Sequence, residues 1–255
     1  MKPSALHRHF RTLPIVPLSA ITGDAPLLVV APHQDDESLG CGGLIAAACA
    51  AGTPPIVVFV TDGAASHPGS LRFGPTARRD IREREARHAA TALGLTADRL
   101  MFLRLPDGAA PHQGSAFGDA VDEIARIAEA DGSRTICAPW EHDPHGDHVA
   151  SHKMGRAAAE RVGARLLSYP VWGWTLTNMV DLPAPMPEGM APEGMAPEGM
   201  RLDVSDHLSA KRAAIAAHAS QHGFVITDDP GGFVLPPEFL ALFDTPFEVY
   251  LRAAG

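Results

Sequence analysis

Four short apolar runs, each ending in a polar turn and spaced by segments of helical pattern, constrain this chain more than any other feature. They are Leu27–Ala31, Ile56–Thr61, Arg99–Leu105 and Thr135–Pro139. Each is mainly apolar and bounded by Gly, Pro or Asp, which is the pattern of a buried strand. Between the first two lies the Ala-rich segment 42–51, stopped by Gly52 and Pro54-Pro55. Strand, helix and strand in about forty residues form a βαβ unit and therefore a parallel pair. A charged helix over Thr76–Leu93 turns Ile81, Ala86, Ala89, Ala90 and Leu93 to the sheet and ends at Gly94. Val121, Ile124, Ala125 and Ala128 mark another helix, residues 148–162 a third, and Ala164–Trp172 a fifth strand. The prediction is an α/β fold with a doubly wound, mostly parallel sheet and helices on both faces. Ligands in such sheets bind beyond the carboxyl ends of the strands, so the residues that follow each run are the ones to read.

The remainder is read as supporting structure within one domain, residues 1–255. Residues 1–25 are mixed and proline-bearing, an irregular lead-in. Residues 185–200 carry a five-residue Pro-Glu-Gly-Met repeat, expected to be a loop because its Pro and Gly content denies it a regular element. A helix over His207–Gln221, a Gly- and Pro-rich loop over 228–237 and an apolar stretch, Phe247–Leu251, close the chain.

Charge and cysteine content narrow the function. A net charge of -9 leaves no surplus of Lys and Arg for phosphates, which argues against nucleic acid as a partner. Cys41, Cys49 and Cys137 form no CxxC pair, so neither a disulfide framework nor a thiolate zinc site is indicated. No run is long enough to cross a membrane, and the first residues lack the apolar core of a signal peptide. The expectation is a cytoplasmic protein without membrane insertion, of unknown oligomeric state.

The first run leads into His33-Gln34-Asp35-Asp36-Glu37. His33 and Asp36 supply an imidazole nitrogen and a carboxylate oxygen, ligand types that a catalytic zinc accepts. Asp35, between them, is free to take a proton from water activated by the metal. An acidic helix N-terminus would explain Asp36 and Glu37, but it leaves His33 idle. The fourth run leads into Trp140-Glu-His142-Asp-Pro-His145-Gly-Asp147-His148, with His152 four residues on. Four histidines in eleven residues at the end of a strand are not explained by packing. The glutamate of an HExxH motif is absent, so this is not a zincin.

The first stretch resembles the Ala-His-Pro-Asp-Asp-Glu signature of the PIG-L/LmbE-like zinc deacetylases, and the second resembles their His-Pro-Asp-His signature. Gln34 and Gly146 stand where that family has prolines. Arg82-x-x-Glu85, Leu105-Pro-Asp107-Gly108 and the segment from Lys211 to Gln221 are similar to its middle and C-terminal regions. The resemblance implies a Rossmann-like domain that removes the N-acetyl group of an amino sugar or glycoconjugate. It implies one Zn2+ per chain, or another divalent metal such as Fe2+, on His33, Asp36 and His148. It assigns Asp35 as base and His145 as oxyanion stabiliser or acid, with Asp147 keeping the His145 imidazolium charged. Arg82, Asp62 and Asp107 are the expected partners of the sugar hydroxyls, with Trp172 or Trp174 below the ring and the loops at 64–75 and 228–237 around a further group. A two-metal phosphoesterase and a non-catalytic sugar binder are the other readings.

Overall fold

The computed structural model describes residues 5–176 and 197–252. In chain order the elements are α1 (Ala5–Thr12), β1 (Ile15–Val16), α2 (Leu18–Thr22), β2 (Leu27–Ala31), α3 (Asp36–Ala50), β3 (Ile56–Thr61), α4 (Pro75–Ala92) and β4 (Leu100–Leu105). They continue with α5 (Ser115–Asp131), β5 (Thr135–Pro139), α6 (Gly146–Val162), β6 (Arg165–Tyr169), β7 (Gly199–Asp203), α7 (Leu208–Ala217), α8 (Pro237–Leu240) and β8 (Phe247–Arg252). The strands form one sheet in the order β1-β7-β8-β6-β5-β2-β3-β4. Neighbours are parallel throughout except for β8, which runs antiparallel to both β6 and β7.

The central strands β2, β3 and β5 are buried at every position and mainly apolar because both faces of the sheet are covered. Leu27, Val29, Ala31, Val57 and Phe59 pack with residues of α3, α4 and α7. Leu28, Val30, Ile56, Val58 and Val60 pack on the other face with residues of α5 and α6. The chain winds from β2 to β3 and β4 in one direction and from β5 to β6 in the other. Adjacent β2 and β5 therefore form the topological switch point, where a crevice opens at the strand ends. The two histidine-bearing stretches follow these two strands.

Four expectations need correction. The helix after β2 starts at Asp36 rather than at residue 42, and Asp36 and Glu37 occupy its first turn, where the dipole favours them. Its glycines serve packing instead: a Cβ on Gly40 would collide with the Tyr169 ring. Second, the lead-in is not irregular. Leu6, Phe10 and Leu13 recur at helical spacing and are buried against Trp140, Val249 and Leu251. Third, β6 ends at Tyr169, and Trp172–Thr175 is a separate 3-10 turn. Fourth, the end of the Pro-Glu-Gly-Met repeat is strand. Gly199 pairs with Leu251, a side chain on it would meet the Tyr250 carbonyl, and Met200 is buried in the core. Most of the repeat, up to residue 196, lies outside the described residues.

One buried ion pair ties the C-terminal elements to α3. Lys211 Nζ lies 2.7 Å from Glu248 Oε1, and both side chains are buried. The Glu248 carboxylate also accepts the Gly43 and Leu44 backbone N–H groups and the Tyr250 hydroxyl at 2.7–2.8 Å. Among the described residues, no helix is long and apolar enough to cross a membrane.

Candidate active site

At the switch point the two sequence clusters become one site. β2 delivers His33, the first turn of α3 delivers Asp36, and the first turn of α6 delivers His148. Asp36 Oδ2 is the hub: it lies 3.1 Å from His33 Nδ1 and 3.3 Å from His148 Nε2, and it accepts the His33 backbone N–H at 2.9 Å. The ligand atoms of His33, Asp36 and His148 all fall within 4.8 Å of one another, and all three residues are buried.

Each imidazole is oriented from behind by a carboxylate. His148 Nδ1 donates to Asp143 Oδ2 at 3.0 Å. Asp143 is fully buried and also accepts the backbone N–H groups of Val171, Trp172 and Gly173 at 2.7–3.1 Å. His33 Nε2 faces Asp147 Oδ2 at 3.0 Å in hydrogen-bonding geometry, with Asp107 Oδ1 at 3.2 Å. Burial opposes charge on both rings, yet the surrounding carboxylates hold His33 well above its ordinary value and raise His148 to about 9. Asp36, against its burial, is held well below the usual carboxylate range by the two histidines.

This arrangement fits a divalent cation. His148 Nε2 is buried and close to Asp36 but makes no hydrogen bond. A divalent metal ion would give it a partner, and binding one would require both imidazoles to be neutral. A second group, His33, His145 and Asp147, also comes within ligand distance. It shares His33, and its Asp147 is already engaged by the backbone N–H groups of Gly108 at 2.7 Å and Ala110 at 3.0 Å.

Asp35 sits beside the triad in a constrained backbone conformation, φ 155° and ψ -28°. Its N–H donates to Glu37 Oε2 at 3.0 Å, and its Oδ1 lies 3.2 Å from Arg82 Nη2, which also donates to the Gln34 carbonyl at 2.8 Å. Contacts of this number are what hold a strained residue in place. Burial pushes the Asp35 carboxyl up to about 6, with the Arg82 charge opposing. Glu37 is fixed in turn by Ser38 at 2.7 Å and His218 at 3.1 Å. Gln34, at a position where the resembled signature has proline, donates to the Thr61 carbonyl at 2.9 Å and ties β2 to β3.

Of the residues singled out in the sequence, His33, Asp35, Asp36, Arg82, Asp107, His145 and Trp172 line one cavity of about 410 Å3. Asp107 is brought in by an extra residue in β4. Phe59 pairs with Phe102 but Thr61 with Leu105, and Arg104 takes φ 56° at this bulge. Asp62 does not reach the cavity: its Oδ1 closes its own turn through the Ala64 N–H at 3.0 Å. Trp174 packs on Phe10 at 5.1 Å instead of facing the cavity. The Asp147 side chain turns to His33 and not to His145. His145 Nδ1 accepts the Asp147 backbone N–H at 3.2 Å, and burial together with the nearby His33 and His148 charges lowers its pKa. The expected pairing of the Asp147 carboxylate with the His145 ring is therefore not formed, the carboxylate being engaged with His33. Arg78, the other buried arginine of α4, is spent on the Ala64 and Phe73 carbonyls. Asp143, Glu37 and His218 complete the site without having been singled out.

The family described as PIG-L, GlcNAc-PI de-N-acetylase, matches residues 28–159. A 1D-myo-inositol 2-acetamido-2-deoxy-alpha-D-glucopyranoside deacetylase of Actinosynnema mirum is 31% identical, over 89% of this chain and 95% of its own length. Among solved structures, the conserved protein TT1542 from Thermus thermophilus superposes with a TM-score of 0.61 at 24% identity, covering 89% of this chain and 94% of that one. The N,N'-diacetylchitobiose deacetylase from Pyrococcus horikoshii gives a TM-score of 0.60 at 21% identity, covering 80% and 73%. At these identities the two structures speak for the fold.

Proposed function

The chain belongs to the PIG-L GlcNAc-PI de-N-acetylase family and is an amide hydrolase, and from that premise we propose that it removes the N-acetyl group of an N-acetylglucosaminyl conjugate with one zinc ion on His33, Asp36 and His148. The observation that carries the reading is the convergence of these three ligand atoms beside Asp35, a buried carboxylate outside the ligand group. The relative from Actinosynnema mirum is a deacetylase of an N-acetylglucosaminyl-inositol, and a conjugate of that class is the first substrate to try.

Zinc at such a site supplies Lewis acidity for the amide carbonyl and makes water acidic near neutral pH. The rest of the work falls to the chain. Asp35 takes the proton of the attacking water and later returns it to the departing amine. His145, its Nδ1 occupied as acceptor of the Asp147 N–H, carries its proton on Nε2 and donates a hydrogen bond to the developing oxyanion. Arg82 holds Asp35 in place and keeps an unpartnered Nε–H, and Asp107 lines the same cavity as an acceptor for sugar hydroxyls.

Purified protein should release acetate from an N-acetylglucosaminyl-inositol, lose that activity on dialysis against a chelator, and regain it with one equivalent of zinc. Release that persists in the metal-stripped protein, or no release from any acetamido sugar, would overturn the reading. Asp143→Asn should weaken zinc binding about 10–100-fold, the usual effect of disturbing a partner of a ligating histidine. Competition with a chelating dye measures it, and an unchanged affinity would mean that His148 does not need its carboxylate.

A further inference from the structure

The cavity has two unlike walls. The polar residues Ser66, Arg82 and Asp107 come from α4 and the loops after β3 and β4, and Asp35 and His145 from the loops after β2 and β5. The opposite wall is Leu39, Val171, Trp172, Leu235 and Phe239, with Phe233 at its rim. Among the described residues this wall presents no polar side chain to the cavity. Leu39 follows Asp36 by one helical turn and shares its face of α3, so the apolar wall begins directly beside the metal triad. Asp143 joins the same two regions from behind, since it holds His148 and the backbone of Val171, Trp172 and Gly173 together.

The apolar wall is built rather than accidental. Trp172 stacks on Phe239 with ring centroids 4.5 Å apart, and Phe233 meets Trp172 edge-on at 5.9 Å. Phe233 is 38% exposed, and its N–H donates to the Ser66 carbonyl at 2.6 Å, which brings it across the mouth of the cavity. An acetyl group has one methyl to place against this wall. A sugar cannot use it well, because each hydroxyl turned to it loses its water without gaining a partner.

We infer that this wall is an acyl-chain pocket, so that the protein hydrolyses N-acylglucosamine conjugates whose acyl chain is longer than acetyl. The inference rests on the amide-hydrolase reading and adds the orientation of the substrate: sugar hydroxyls to Asp107 and Arg82, acyl chain to Leu39, Val171, Trp172 and Phe239. Hydrolysis breaks the amide C–N bond; the acyl carbon takes the hydroxyl of water, the sugar nitrogen takes the proton, and an alkanoate leaves.

The test is amine release from glucosamine N-acylated with acetyl, butanoyl, hexanoyl and octanoyl groups, with the p-nitrophenyl glycoside of N-acetylglucosamine alongside. In parallel, calorimetry measures binding of the matching free alkanoates. Burial of one methylene is worth about three- to fourfold, so kcat/KM and alkanoate affinity should both rise by about that factor per added CH2 until the wall is filled. Phe233→Ser, at the partly exposed rim, should flatten both series relative to the acetyl compounds. A decline from acetyl onward in both series overturns the inference while the amide-hydrolase reading stands. So does a gain that follows the aryl glycoside instead, because it gives the wall to the aglycone. No amine from any substrate overturns the reading and the inference together.

Discussion

Asp35→Asn is expected to lower kcat by about 10²–10⁴-fold while leaving the metal in place, the range associated with loss of a general base. The substitution keeps the size of the side chain and the backbone N–H that donates to Glu37, so the local structure has no cause to move. It removes a carboxylate beside the triad that belongs to neither possible ligand group and backs neither histidine. Asp36 is in the triad, Asp143 backs His148, and Asp147 and Asp107 back His33. Steady-state kinetics on an acetamido sugar, with elemental analysis of the same sample, measures both halves. Loss of metal in this variant would show that Asp35 is itself a ligand, and unchanged kcat would remove it from the chemistry.

Lys211→Met is expected to cost about 3–5 kcal/mol, the usual result of leaving one member of a buried ion pair without its partner. Glu248 would retain three hydrogen-bond donors, from Gly43, Leu44 and Tyr250, but no counter-charge inside the core. Urea unfolding should show a lower midpoint with an unchanged slope. Adding Glu248→Gln should recover most of the loss, because the carboxylate charge is what the lysine answers. A single variant as stable as the parent would mean that Glu248 takes up a proton at little cost.

The strand cores were legible because a strand covered on both faces carries a nearly unbroken apolar run, and such runs stand out against helical spacing. That the two histidine-bearing stretches would meet was legible for a related reason, since each follows a strand of one parallel sheet. His148 was picked out among its neighbours by the resemblance alone. Asp143 was not legible, since it works through backbone N–H groups 28 to 30 residues further along, and a backbone donor leaves no mark in sequence. Asp62 shows the converse: a carboxylate after a strand can face a ligand or close its own turn, and the residue type does not distinguish the two. For Asp147, adjacency in sequence suggested a partnership with His145. The His145 ring instead accepts the Asp147 backbone N–H, and the carboxylate meets a ring from 114 residues earlier. The apolar wall drew on Leu39, Val171, Leu235 and Phe239, which in sequence look like any other core residues.

The place of β8 in the sheet orders events during synthesis. β1 pairs only with β7, and β7 reaches β6 only through β8. Residues 15 and 16 leave the ribosome early, yet they have no sheet to join until residues 247–252 have followed. The half from β4 to β6, which carries both histidine clusters, can assemble while the chain is still being made. Its outer edge, β6, stays open until β8 arrives, and an unpaired edge is a template for a foreign strand. The interval between the emergence of Tyr169 and that of Phe247 is therefore when the nascent chain is most exposed to aggregation and has most use for a chaperone.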